Sequence, residues 1–236
     1  MRTTPLALAT LVLGTTLLGA GGQISYYEEA LPSSLNPLFA RTMVDRRSQE
    51  LVFDRLYYRS AVTAEIKSRL VEKAEPRGDG MQLALTLRDG ISWHDGQPLV
   101  AADICFTIDA MLDPGTPSHQ AKAYKEIISG CTVEGEQAVV SFTKAFYNPE
   151  ERLSFAVLPK HVFEGNTAIM PDNEFSVRPT GTGPMKGSRG RREVRFTAVP
   201  NGHHQPNIDI LSLGEGGDPL VQVRTIINGG AITTLV

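Results

Sequence analysis

The stretch Leu87-Arg88-Asp89-Gly90-Ile91-Ser92-Trp93-His94-Asp95-Gly96-Gln97-Pro98-Leu99-Val100-Ala101-Ala102-Asp103-Ile104 holds a strand end, two turns, the lone tryptophan and a helix start. Upstream, Met81, Leu83, Leu85 and Leu87 alternate with Gln82, Ala84, Thr86 and Arg88, the period of a half-buried strand. Downstream, Ile104, Ile108 and Leu112 form one stripe of a helix from about Ala101 to Leu112, stopped by Asp113-Pro114-Gly115. Trp93 lies between two glycine turns. Such an indole closes a core beneath a loop and satisfies its N–H locally, so Trp93 is expected to be buried. His94 stands beside Asp95, but no nucleophile motif such as G-x-S-x-G accompanies them.

Outward from this segment, Gln23–Tyr27 reads as a first strand and Pro32–Pro37 as a loop. Leu51, Val52 and Leu56 give helical spacing within residues 44–58. Thr132-Val133 and Ala138–Phe142 form a hairpin through Gly135-Glu136, and Pro149–Phe155 a short helix with proline near its first position. Residues 194–199 and 208–213 are two more alternating strands. Strands and helices without regular alternation define an α/β fold with mixed sheets.

The 236 residues carry a net charge of −3, which excludes the basic footprint of a nucleic-acid binder. Arg189, Arg191 and Arg192 read as solvated loop charges, and Arg77-Gly78-Asp79-Gly80 as a polar hairpin turn. Residues 1–22 have the form of an export signal: Met1-Arg2 is positive, Pro5–Leu18 is largely apolar, and Ala20-Gly21-Gly22 offers a small-residue cleavage site. The apolar run is too short to span a bilayer, which takes about 20 residues. Gly21 stands where a lipidated cysteine would be, so the mature chain is expected to be soluble. Cys105 falls in the helix and Cys131 at a strand start. A disulfide is possible in an oxidising compartment, but two buried free thiols are the simpler expectation. Gly181-Thr182-Gly183 lacks a following G-K-[ST] and reads as a tight backbone crossing that uses glycine dihedrals. His203 and His204, as strand neighbours, are expected on opposite faces at the surface. No metal ligand, cofactor or catalytic residue is assigned.

The opening segment resembles the L-R-x-G-x-x-W-x-D-G-x-P-x-T-A-x-D-V signature of the family 5 extracellular solute-binding proteins, receptors of the peptide and nickel type that feed ABC importers. Ser34-Leu35-Asn36-Pro37 resembles the family's S-L-D/N-P, Leu51-Val52-Phe53-Asp54-Arg55-Leu56 its L-I-F-D-G-L, residues 156–163 its I-L-P-K-H-V-F, and Pro179-Thr180-Gly181-Thr182-Gly183-Pro184 its P-V-G-T-G-P. These matches cover most of residues 23–200 in order. Five positions depart: Arg55 replaces a glycine, Met185 an aromatic, Val100 a helix-capping threonine, and His203-His204 stand near the family's Tyr-Trp. Losing the threonine cap costs roughly 1 kcal/mol.

The resemblance implies the first lobe of a type II, two-lobed periplasmic binding protein, with the second lobe missing. Residues 23–44 and about 179–236 would form the core-sheet part and about 45–178 an inserted subdomain. It further implies a non-enzymatic, monomeric receptor, periplasmic or secreted, that takes a peptide-like small solute and delivers it to an ABC permease in the inner membrane. Carried over by position, the two loops bordering the ligand cleft present Arg41 and Met43 in one and His119 and Gln120 in the other. The family's acidic anchor for a peptide amine lies in the other lobe. A degenerate gene product and a secreted interaction module reusing the lobe are the alternative readings.

Overall fold

Residues 22–200 and 202–216, with 224, 227, 232 and 233, are described in a computed structural model of the chain. The export signal expected over residues 1–22 lies outside the described residues except for Gly22. Among the described residues, no helix is long and apolar enough to cross a membrane.

The chain enters through β1 (Gln23–Glu28), runs through α1 (Met43–Val52), and makes the short pair β2 (Tyr58–Arg59) and β3 (Ile66–Lys67). It then builds β4 (Val71–Arg77), β5 (Gln82–Leu87), α2 (Ala101–Leu112), α3 (Ala121–Lys125), β6 (Ile128–Glu134) and β7 (Gln137–Phe142). It returns through β8 (Met185–Arg189), β9 (Glu193–Ala198), β10 (Ile210–Glu215) and β11 (Ile232–Thr233). Two sheets result. One has the order β11-β1-β10-β9-β8, with β1 parallel to β10 and β11 and the rest antiparallel. The other is antiparallel, in the order β4-β5-β7-β6. The mixed α/β character read from the sequence is therefore what forms.

Period-two patterning places Leu83 and Leu85 of β5 fully inside. Trp93 is 2% exposed, as its position between turns predicts. The single helical stripe understates α2. Cys105, Phe106, Ala110 and Met111 are buried as well as Ile104 and Ile108. The helix packs on β6 and β7 on one side, while Phe106 stacks on Phe163 (centroids 5.6 Å apart) on another. Its N-terminus is capped from within, because Val100 has no side-chain acceptor. Asp103 Oδ2 instead accepts the Val100 N–H at 3.0 Å. The same carboxylate accepts Trp93 Nε1–H at 3.2 Å and the Lys160 N–H at 2.9 Å.

Two element boundaries differ from the sequence reading. α1 stops at Val52 rather than near residue 58, because Phe53 turns extended and the N–H groups of Leu56 and Tyr57 bond Phe155 and Leu153 carbonyls. Tertiary pairing outweighs the helical spacing of Leu56. The helix expected from Pro149 is a 3₁₀ turn of four residues, Pro149–Arg152, since Leu153 onward is drawn into that same pairing.

The cysteines are a correction. Cys105 and Cys131 are joined in a disulfide, with Cα atoms 5.0 Å apart, rather than remaining two free thiols. Helical and strand assignments alone gave no distance. The packing of α2 on β6 brings the two together and staples helix to sheet. With 26 residues of separation, loop-closure entropy gives the bond a value of about 3.5 kcal/mol. Converting both cysteines to alanine should lower unfolding free energy by about 2–4 kcal/mol in urea titrations, with the helix-to-sheet packing retained. A loss below about 0.5 kcal/mol would show that the cross-link contributes nothing.

Candidate functional site

Three groups of polar side chains among the described residues bear on a possible site. The first is built around α1. Thr42 caps the helix by accepting the Asp45 N–H at 3.1 Å. The buried Asp45 carboxylate in turn accepts the N–H groups of Ser33 (2.6 Å), Arg41 (2.8 Å) and Thr42 (2.9 Å). Burial alone would push the Asp45 pKa up. Those backbone donors and the Thr42 hydroxyl reverse this and hold it below the ordinary carboxylate value. The Arg41–Met43 turn is thus pinned by its backbone while the Arg41 and Met43 side chains face solvent, Met43 being 61% exposed.

The second expected loop is tied to the first. Ser118 Oγ donates to the Leu38 carbonyl, and Gln120 Nε2 donates to the Ala40 carbonyl at 2.8 Å. Gln120 is half-buried and its neighbour His119 is exposed. Of the four residues carried over from the family, Gln120 therefore contacts the Arg41 loop directly, and the other three present free side-chain ends around it. Between the loops lies a cavity of ≈ 80 Å³, lined by Gln120, Arg46, Glu50, Phe53, Arg55 and Tyr124 among others.

The third group lies where β8's approach segment crosses the end of α1. A Cβ on Gly181 would sit 1.9 Å from the Val52 carbonyl oxygen, and one on Gly183 2.6 Å from the Val52 carbonyl carbon. Glycine is required here by close backbone approach. Neither residue has the positive φ expected from the sequence. The Gly183 N–H bonds the Val52 carbonyl at 2.8 Å. His94 clamps the same crossing. Its Nδ1 accepts the Gly181 N–H at 3.1 Å, so its Nε2 carries the proton and donates to the Gly183 carbonyl at 2.9 Å. Desolvation lowers its pKa, outweighing the Gly183 carbonyl and the more distant Asp95 and Asp54.

Beside the crossing sits Asp54, 4% exposed. Thr182 Oγ1 donates to its Oδ2 at 3.1 Å, and Arg69 Nη1 lies 3.4 Å from its Oδ1. His203 Nε2 is 2.8 Å and His204 Nε2 2.9 Å from its Oδ2. This corrects the expectation that the two histidines lie on opposite faces; counted with its backbone, His203 remains at the surface as expected, while His204 is half-buried. Residues 202–204 form a bend rather than a strand, and both rings swing to one side, with centroids 4.2 Å apart and side chains only 20% and 15% exposed. Burial would raise the Asp54 pKa. The two imidazole hydrogen bonds override it and hold the carboxyl well below its usual range. The sequence clue was an acid in the apolar run Leu51-Val52-Phe53, a residue that is costly to bury without partners.

The chain belongs to the bacterial extracellular solute-binding proteins, family 5, whose model matches residues 65–235. It is similar to the oligopeptide-binding protein AppA of Bacillus subtilis, 26% identical over 173 residues, or 70% of this chain and 31% of that one. It is also similar to protein XP55 of Streptomyces lividans, 30% identical over 178 residues, or 72% of this chain and 31% of that one. The solved structure of Bacillus subtilis AppA in complex with a nonapeptide superposes with a TM-score of 0.80 at 20% identity, covering 90% of this chain and 43% of that chain. The fold is therefore that of one lobe of a type II binding protein. The chain spans about a third of the length of these two curated relatives.

The neutral His94 gives a pH test. In the unfolded chain a histidine titrates near 6.5. The folded state holds its pKa lower, so the unfolded state takes up more protons as pH falls below about 6.5 and the His94 contribution to stability declines. His94→Asn should cost about 1–2 kcal/mol at pH 7.5 through its lost hydrogen bonds, and the gap from the parent should narrow at pH 5. Urea titrations at both pH values check this. A gap that widens at pH 5 would mean His94 is charged in the fold.

Proposed function

We propose that the chain acts as the extracytoplasmic solute-binding component of an ABC import system, takes peptide-like solutes, and contributes one wall of the ligand cleft through the lobe described above. The family match over residues 65–235 carries this reading. Oligopeptide binding by a relative with the same fold supports the peptide class. A disulfide between Cys105 and Cys131 fits an oxidising compartment, either the periplasm or the exterior. The partner is an inner-membrane ABC permease, and no bond is made or broken.

In this account residues 23–44 and 179–236 supply the core-sheet part of the lobe and 45–178 the inserted subdomain. Both sheets feed one continuous apolar core that includes Leu85, Ile108, Met185 and Phe196, so the insert is anchored rather than hinged. Arg41, Met43, His119 and Gln120 border the cleft. The Asp45 cap and the Gln120–Ala40 bond hold the two loops together while the Arg41, Met43 and His119 side chains stay exposed to meet a ligand, a division suited to a site that reads varied peptides. Ligand capture would proceed by hinge closure of two lobes, as in periplasmic receptors generally.

One wall buries one side of a peptide while the entropic cost of association stays undiminished, so binding by this chain alone should be weak. Titrating isotope-labelled chain with a di- to pentapeptide mixture, followed by two-dimensional amide NMR, should give saturable shifts in the millimolar range (about −4 kcal/mol). The shifts should cluster at residues 40–43 and 118–121. Absence of shifts, or shifts confined to the far edges of the sheets, would refute this assignment of the wall.

A further inference from the structure

We propose that Asp54, His203 and His204 form a binding site for a divalent transition metal, with zinc the best-fitting ion. It shares no residue with the proposed peptide wall. Two imidazole nitrogens and a carboxylate oxygen converge on one point: both Nε2 atoms lie within 2.9 Å of Asp54 Oδ2, and the three ligand atoms lie within 4.8 Å of one another. Two histidines and one carboxylate are the ligand set of open, three-ligand zinc sites, which leave a position for water or a solute donor.

Several observations favour a site over a simple ion pair. The bend at residues 202–204 turns adjacent histidines to the same side, which an extended chain would not do. Thr182 Oγ1 hydrogen-bonds the Asp54 carboxylate and orients it, a role that second partners commonly fill around metal-binding carboxylates. Two imidazoles crowding one oxygen is economical only while each keeps a proton on Nε2. A cation takes the place of those protons, which move to Nδ1 or leave to solvent from a charged ring. Arg69 approaches Oδ1 from the open side with a side chain 54% exposed, so it can retreat when a second positive charge arrives.

The other histidine–carboxylate contact, His161 Nε2 to Asp95 Oδ2 at 2.8 Å, offers two ligands and serves as the internal control. After chelator treatment, the purified chain should bind about one equivalent of Zn²⁺ at pH 7.5 in calorimetry. His203→Gln and His204→Gln should each weaken binding at least about tenfold, or 1.4 kcal/mol, while His161→Gln leaves it unchanged. X-ray absorption of the zinc-loaded parent chain gives a readout that does not depend on variants folding, and two imidazole ligands are expected. Absence of saturable zinc binding, binding that survives both His203→Gln and His204→Gln, or fewer than two imidazoles at the metal would overturn the site and leave the peptide reading untouched.

Discussion

The rest of this lobe depends on one buried carboxylate. Asp103, 2% exposed, accepts hydrogen bonds from the Trp93 indole, the Val100 N–H and the Lys160 N–H. Those donors belong to three different pieces of chain: the loop after β5, the entry to α2, and the segment that carries Phe163 against the back of α2. The buried Trp93 N–H would be costly to leave without an acceptor, by about 1–3 kcal/mol. A single carboxylate accepts from all three and fixes their relative positions. This explains why the tryptophan, the glycine turn and the helix start occur together in so short a stretch. Only in that arrangement does the indole N–H meet an acid in the first turn of the helix.

A second seam joins the two sheets. Where Gly181 and Gly183 pass Val52, the backbones are too close for any side chain, and His94 and Asp54 bracket the crossing. His94 reaches it from the same loop that holds Trp93, so the Asp103 assembly and the crossing are mechanically continuous. The loops of the proposed peptide wall and the proposed metal group therefore both hang from a frame set by a few buried polar contacts, with the apolar core filling the space between. The disulfide adds a covalent tie at the far side of α2.

Much of the fold was legible in the sequence because it rests on local periodicity. β5, α2, the β6–β7 hairpin and the burial of Trp93 follow from alternation, stripes and turns within a dozen residues. The C-terminal end of α1 and the 3₁₀ turn at Pro149 were not legible, because Leu56 and Tyr57 trade helical bonds for pairing with residues nearly a hundred positions away. The Cys105–Cys131 bond and the Asp54–His203–His204 group were missed for the same reason: each is a distance between remote residues. For the histidines the period-two assumption was itself wrong, since residues 202–204 bend. The candidate wall was legible only as positions in two loops. The Gln120–Ala40 bond that joins those loops became visible in three dimensions.

The central claim is that Asp103 organises the segment from Trp93 to Lys160, with Trp93 closing the core rather than offering a platform to ligand. Because Trp93 is the chain's single tryptophan, its fluorescence reports directly on this point. Equilibrium unfolding of Asp103→Ala, followed by tryptophan emission, is the most direct measurement. The account predicts a loss of about 3 kcal/mol or more, together with red-shifted, more quenchable emission in the folded state as the indole loosens. A loss under about 1 kcal/mol with unchanged emission would show that Trp93 is held by packing alone, and Asp103 would lose its organising role.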